Sequence, residues 1–154
     1  MTITPSTGHQ PKGRILTTDS ELKTALAKVT RVAVLGIKTE AQEDQAAFYV
    51  AKYLKAAGLT VVPVPVYYPE VTVILDEPVY RTVSAIPGEI DVLDVFRRPK
   101  DIDAHLDDIL TKRPKLVWFQ LGIRNDAAAT KLTGAGIDVV QDRCLMVEHR
   151  RFVA

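Results

Sequence analysis

The chain has 154 residues, a formal net charge of +1 and a single cysteine. That length suits one average domain with a real core. The near-zero charge excludes a dedicated nucleic-acid binder, which carries a strong basic excess. One cysteine, Cys144, excludes an internal disulfide and reads as a cytoplasmic protein. No apolar run approaches the ~20 residues of a membrane span. The three histidines, at 9, 105 and 149, form no cluster with metal-ligand spacing.

Residues 1–17, rich in Thr, Pro, Gly and Ser, read as a loose tail without the apolar stretch of a signal peptide. Residues 18–154 read as the single domain. Thr18-x-x-Glu21 predicts a capping box opening a helix over 19–28. Val32-Ala33-Val34-Leu35-Gly36 is wholly apolar and predicts a strand buried on both faces. A helix over 43–57 follows, with Ala47, Val50, Ala51 and Leu54 on one stripe and Gly58 as its stop. Residues 60–64 form the second strand. Residues 65–78 are irregular and rich in Pro and Tyr, with a weak third strand near Val79-Tyr80 and a short helix over 82–86. A strand over 90–96, a helix over 101–112, a strand over 115–120, a helix capped by Asn125, a strand over 137–140 and a helix from Arg143 complete the chain. Strands alternating with helices at this spacing predict α/β architecture: a doubly wound, mostly parallel sheet.

In such a sheet, ligands bind beyond the carboxyl ends of the strands, where the strand order reverses. The residues to inspect are Gly36, Ile37 and Lys38; Val64 and Pro65; Phe96, Arg97 and Arg98; and Gln120 and Gly122. Gly36 alone does not make a G-x-G-x-x-G fingerprint, and no acid lies between Thr60 and Pro69 to hold a ribose. An NAD site is therefore not expected. Asp94 reads as serving nearby backbone N–H groups rather than ligand hydroxyls, Trp118 as core rather than a stacking platform, His105 as a partly buried structural residue, and His149 as surface rather than a base. For Cys144 two readings stand. One is a thiol activated by a helix start, and the other is a small buried side chain.

Five segments occur in order: Val32-Ala33-Val34-Leu35-Gly36, Val62-Pro63-Val64, Asp91-Val92-Leu93-Asp94-Val95-Phe96-Arg97-Arg98-Pro99, Val117-Trp118-Phe119-Gln120-Leu121-Gly122, and Asp142-Arg143-Cys144-Leu145-Met146-Val147-Glu148-His149. Together they resemble the small stand-alone CoA-binding proteins, whose Rossmann-like domain is similar to the CoA-binding domain of the succinyl-CoA synthetase α subunit. The resemblance covers residues 18 to the C-terminus. It implies coenzyme A or an acyl-CoA as ligand, contacted by Gly36, Lys38, Val64, Phe96, Arg98 and Gly122. Lys38, Arg97 and Arg98 supply charge for phosphates, and Phe96 a surface for adenine. Because CoA ends in a thiol, a mixed disulfide with Cys144 is chemically available by exchange, the Cys144 thiolate attacking CoA disulfide and displacing one CoA thiolate.

Two departures from the family pattern stand out. Ile37-Lys38-Thr39-Glu40-Ala41-Gln42 replaces the usual Ser-x-Lys-Pro-x-Arg, and Pro65-Val66 replaces Asn-Pro. Glu40, Glu43 and Asp44 oppose a phosphate unless they point away. No nucleophile, base and orienting group assemble from these residues. The functional expectation is a non-catalytic CoA-binding carrier, sensor or partner module. The alternatives are a small enzyme acting on an acyl-CoA or nucleotide, and a scaffold with a degenerate ligand site. A protein partner or homo-oligomer is left open.

Overall fold

The apolar runs pair in parallel because each is covered on both sides by helices. The structure, a computed structural model, describes residues 12–153. In chain order the strands are β1 (Arg31–Leu35), β2 (Thr60–Val64), β3 (Val73–Ile74), β4 (Glu77–Pro78), β5 (Val92–Val95), β6 (Leu116–Phe119) and β7 (Asp138–Val140). Five of them form one sheet in the order β2-β1-β5-β6-β7, every pair parallel. The α-helices are α1 (Asp19–Leu26), α2 (Ala46–Ala56), α3 (Leu106–Lys112), α4 (Asp126–Gly134) and α5 (Leu145–Phe152). Among the described residues no helix is long and apolar enough to cross a membrane.

Strand alternation divides the core in two. Leu35, Leu93, Val95 and Phe119 pack against Ile109 of α3 and Leu132 of α4. Val34, Val92 and Trp118 pack on the other face against Leu22 of α1, Phe48 and Leu54 of α2, and Leu145 of α5. The chain moves outward from β1 to β2 and returns on the far side of β1 as β5. The strand order therefore reverses between β1 and β5, and their carboxyl ends diverge there.

Local signals set most helix ends. Thr18 and Glu21 form the reciprocal capping box of α1. At the end of α2, Leu59 N–H reaches Leu54 C=O and Gly58 N–H reaches Lys55 C=O, with Gly58 at φ +97°. The expected helix over 43–57 begins later, at Ala46. Before it, Thr39 and Gln42 cap each other reciprocally across a 3-10 turn, Glu40–Gln42. The helix expected from residue 101 starts as a 3-10 stretch, Pro99–His105, that runs into α3.

Three expectations are corrected. No third strand joins the sheet at Val79-Tyr80. Instead β3 and β4 form a small antiparallel hairpin, and Tyr80 N–H bonds Pro63 C=O on the flank of β2. Residues 82–86 form no helix, because the Val83 and Ser84 N–H groups donate to the Asp108 carboxylate at 2.7 and 2.8 Å. Of the expected tail, residues 12–17 run along β7, and residues 1–11 lie outside the described residues. Ile15 bridges Val139 in parallel, and Leu16 is buried. Gly13 permits this approach, since a Cβ there would sit 2.2 Å from the Ile137 carbonyl oxygen.

Candidate functional site

Gly36 ends β1 in a left-handed conformation, φ +86°, and its N–H donates to Val64 C=O. A Cβ at Gly36 would lie 2.3 Å from the Phe96 carbonyl oxygen. The two chains leaving β1 and β5 thus touch before they part. Beyond that contact lies a cleft of roughly 350 Å³. Gly36, Ile37 and Lys38 line it from β1, and Phe96, Arg97, Arg98 and Pro99 line it from β5. Tyr67, Tyr68, Ala47, Gly122 and Ile123 complete the wall.

The arginines are held differently. Arg97 donates from Nε to His105 Nε2 at 3.2 Å and from Nη1 to the Tyr67 hydroxyl at 3.4 Å. Its guanidinium also lies 5.6 Å from the Tyr67 ring centre and 3.9 Å from Asp101 Oδ2. Arg98 is two-thirds exposed and donates from Nε to Asp101 Oδ2 at 2.6 Å. These partners shift their neighbours. The Arg98 hydrogen bond holds the Asp101 carboxyl below its ordinary range, and the Arg97 hydrogen bond lowers the Tyr67 phenol. Burial, then the Arg97 charge, lowers the His105 imidazole below its usual value.

Donors for an anion are present on the opposite wall. Ala47, in the first turn of α2, lines the cleft, and the N-cap Gln45 makes no side-chain hydrogen bond to that turn. An uncapped helix start offers N–H groups and a partial positive charge. None of the three acids of this loop lines the cleft. Glu40 accepts from Leu75 N–H at 2.8 Å on the β3–β4 turn, and Glu43 and Asp44 are exposed outside the cleft. Gly122 lines the cleft, but its N–H is taken by Asp142 Oδ1 at 2.6 Å.

Of the residues singled out from sequence, the structure brings Gly36, Ile37, Lys38, Phe96, Arg97, Arg98 and Gly122 to this cleft. It does not bring Val64, Pro65 or Gln120. Val64 and Pro65 are buried, and Gln120 is buried where its Oε1 accepts from Leu145 N–H at the start of α5. The Tyr67-Tyr68 lip, just past the turn after β2, is a further part of the cleft that no sequence motif marks. Arg81 holds that lip by donating to the carbonyls of Tyr67, Tyr68 and Val71.

Cys144 is the half-buried N-cap of α5, as its place at a helix start implied. It lines a separate cavity of roughly 510 Å³ across the loop 121–124, whose Leu121 and Arg124 face that cavity. Trp118 is core, with Nε1 donating to Arg143 C=O. Two readings are corrected. His149 is buried rather than on the surface, its Nδ1 3.0 Å from the Tyr53 hydroxyl, because α5 packs against α2. Asp94 serves no backbone N–H, since those of β5 are spent on the neighbouring strands. Neither carboxyl oxygen has a partner among the described residues, and burial pushes its pKa well up. No cluster of three or more His, Cys, Asp or Glu residues suited to a metal occurs among the described residues.

The sequence model of a family described as the CoA binding domain matches residues 30–150. The chain is 28% identical to the uncharacterized protein YneT of Bacillus subtilis over 130 residues, which is 84% of this chain and 93% of that one. A solved protein from Thermus thermophilus, cell-free ID.343, is 38% identical, with a TM-score of 0.80 over 88% of this chain and 99% of its own. The fold alone also matches part of a dinucleotide-forming acetyl-coenzyme A synthetase from Ca. Korarchaeum cryptofilum. That match is 18% identical, with a TM-score of 0.60, over 74% of this chain and 26% of the enzyme.

Proposed function

This chain belongs to the CoA binding domain family, and from that premise we propose that it binds coenzyme A or an acyl-CoA, without transforming it, in the cleft between the carboxyl ends of β1 and β5. One observation carries the assignment. The cleft joins an uncapped helix start to Lys38, Arg97 and Arg98 on walls that also present Phe96 and Tyr67. Diphosphate oxygens suit the N–H groups and cations, and an adenine suits the aromatic faces.

The reading as a non-catalytic carrier, sensor or partner module fits the side chains at the site. Among the described residues, none of those lining the cleft is a nucleophile paired with a base: His105 Nε2 is engaged by Arg97, and Cys144 lies in the other cavity. A disulfide between Cys144 and the ligand's thiol requires the pantetheine arm to cross the loop 121–124. Glu40, Glu43 and Asp44, the acids behind the reading as a degenerate scaffold, do not line the cleft.

Calorimetric titration tests the assignment. CoA is expected to bind saturably and to weaken as salt rises, because exposed charge pairs are screened. Lys38→Ala is expected to weaken it by roughly tenfold, the loss of one charge-assisted hydrogen bond. NADH is expected not to saturate the site, since both the glycine fingerprint and the ribose acid are missing. Absence of CoA binding by the wild type, or tighter binding of NADH than of CoA, overturns the reading.

A further inference from the structure

Arg97 is far more enclosed than Arg98, and one of its holders is not a conventional partner for a guanidinium. We propose that His105 is a positioning residue for the ligand cleft: its unprotonated Nε2 anchors the Arg97 guanidinium against the cleft wall, so that affinity for a phosphate ligand falls when the imidazole takes up a proton. The inference rests on the CoA reading of the cleft and adds its regulation.

The geometry defines the tautomer. An arginine has only donors, so the nitrogen that meets Arg97 Nε at 3.2 Å must be the acceptor. His105 is therefore neutral in this arrangement, with its proton on Nδ1. Protonating Nε2 sets two N–H groups and two cations against each other. Arg97 then keeps the Tyr67 hydroxyl and ring and the longer contact to Asp101.

The charged groups around the imidazole are Arg97 from the end of β5, Asp101 from the 3-10 stretch and Asp108 from α3. Asp108 is committed to the Val83 and Ser84 N–H groups, and Asp101 to Arg98. Burial and Arg97 outweigh both acids and hold the imidazole below its usual 6.5, so the neutral form prevails at neutral pH. Acidification through that lowered pKa releases the arginine. The Arg97 stem also lies against Gly36, where a Cβ would be 3.4 Å from Arg97 Cδ, so a displaced Arg97 disturbs the wall where β1 and β5 meet.

The test follows CoA affinity from about pH 7.5 down to the pH at which the His105 ring nitrogens are both seen to be protonated by NMR. The phosphates of CoA titrate there too, so the readout is the difference between proteins. In His105→Gln, the amide oxygen can still accept from Arg97 and does not titrate. Wild type is expected to lose roughly tenfold more affinity on acidification than His105→Gln, about the worth of one charge-assisted hydrogen bond. His105→Leu, which has no acceptor, is expected to bind roughly tenfold more weakly than His105→Gln at the higher pH. Imidazole nitrogen resonances supply a readout without ligand. They should show Nε2 unprotonated in the wild type, and the His105 titration moving up in Arg97→Ala. Parallel pH curves for wild type and His105→Gln, full affinity in His105→Leu, or a proton on Nε2 at neutral pH overturns the positioning role alone. A folded wild type that never binds CoA overturns the CoA reading, and this role with it.

Discussion

Gly36→Ala is expected to lower the stability of the chain by about 2–4 kcal/mol and to abolish ligand binding. Two terms add. An L side chain at φ +86° adopts a disfavoured backbone, worth about 1–2 kcal/mol. The new methyl also meets the Phe96 carbonyl oxygen at 2.3 Å. That oxygen cannot retreat freely. Phe96 N–H is bonded to Leu35 C=O at 2.9 Å, and Leu35 and Val95 are paired one residue earlier. Relief requires β1 and β5 to splay, in the middle of the sheet and at the floor of the cleft. Gly58→Ala separates the two terms, because Gly58 has φ +97° but nothing within 4 Å of its would-be Cβ. Urea melts should place Gly58→Ala near the conformational term alone. Equal losses in the two variants would show that the close approach at Gly36 is absent.

Asp94→Val is expected to stabilise the protein by about 1–3 kcal/mol at neutral pH, the penalty of a buried polar group without partners. Asp94 is fully buried on β5, flanked in register by Val34 and Trp118, and neither oxygen is hydrogen-bonded among the described residues. Burial raises its folded pKa well above the ordinary 3.8. The native state therefore keeps a proton that the unfolded chain gives up above 3.8. Wild-type stability is highest, as far as this group is concerned, below that value, and it falls as pH rises toward the folded pKa. The advantage of the variant should widen over the same window. Asp94→Asn keeps the shape without the proton and should remove this pH dependence. A pH–stability curve for Asp94→Asn that parallels wild type would contradict the account.

The parallel sheet was legible because its strands are buried on both faces and so appear as unbroken apolar runs between capped helices. Thr18 with Glu21, Asn125 and Gly58 each act through groups within a few residues, and each does what its local sequence implies. The misread segments are those whose partners lie far along the chain. The β3–β4 turn uses Leu75 and Asp76, both at positive φ, where a glycine would have announced it. It is held instead by Glu40 and Lys55. Residues 83 and 84 bond Asp108, and residues 12–17 dock on β7 through a fit at Gly13. The same division runs through the site. Gly36 to Lys38 and Phe96 to Arg98 follow directly from the switch in strand order. Val64 and Pro65 are still enclosed by the sheet where the second strand ends, and the Tyr67-Tyr68 lip depends on Arg81, which no local pattern connects to it.

On the proposed reading, coenzyme A occupies the β1–β5 end of the sheet. Amide chemical-shift mapping of the labelled protein during a CoA titration tests it most directly. Saturable shifts are expected at Gly36 to Lys38, at Ala46 and Ala47 in the first turn of α2, and at Phe96 to Arg98, with Tyr67 and Tyr68 beside them. Shifts confined to the cavity around Leu121, Asp142 and Val147, or no saturable shifts at all, would contradict that reading.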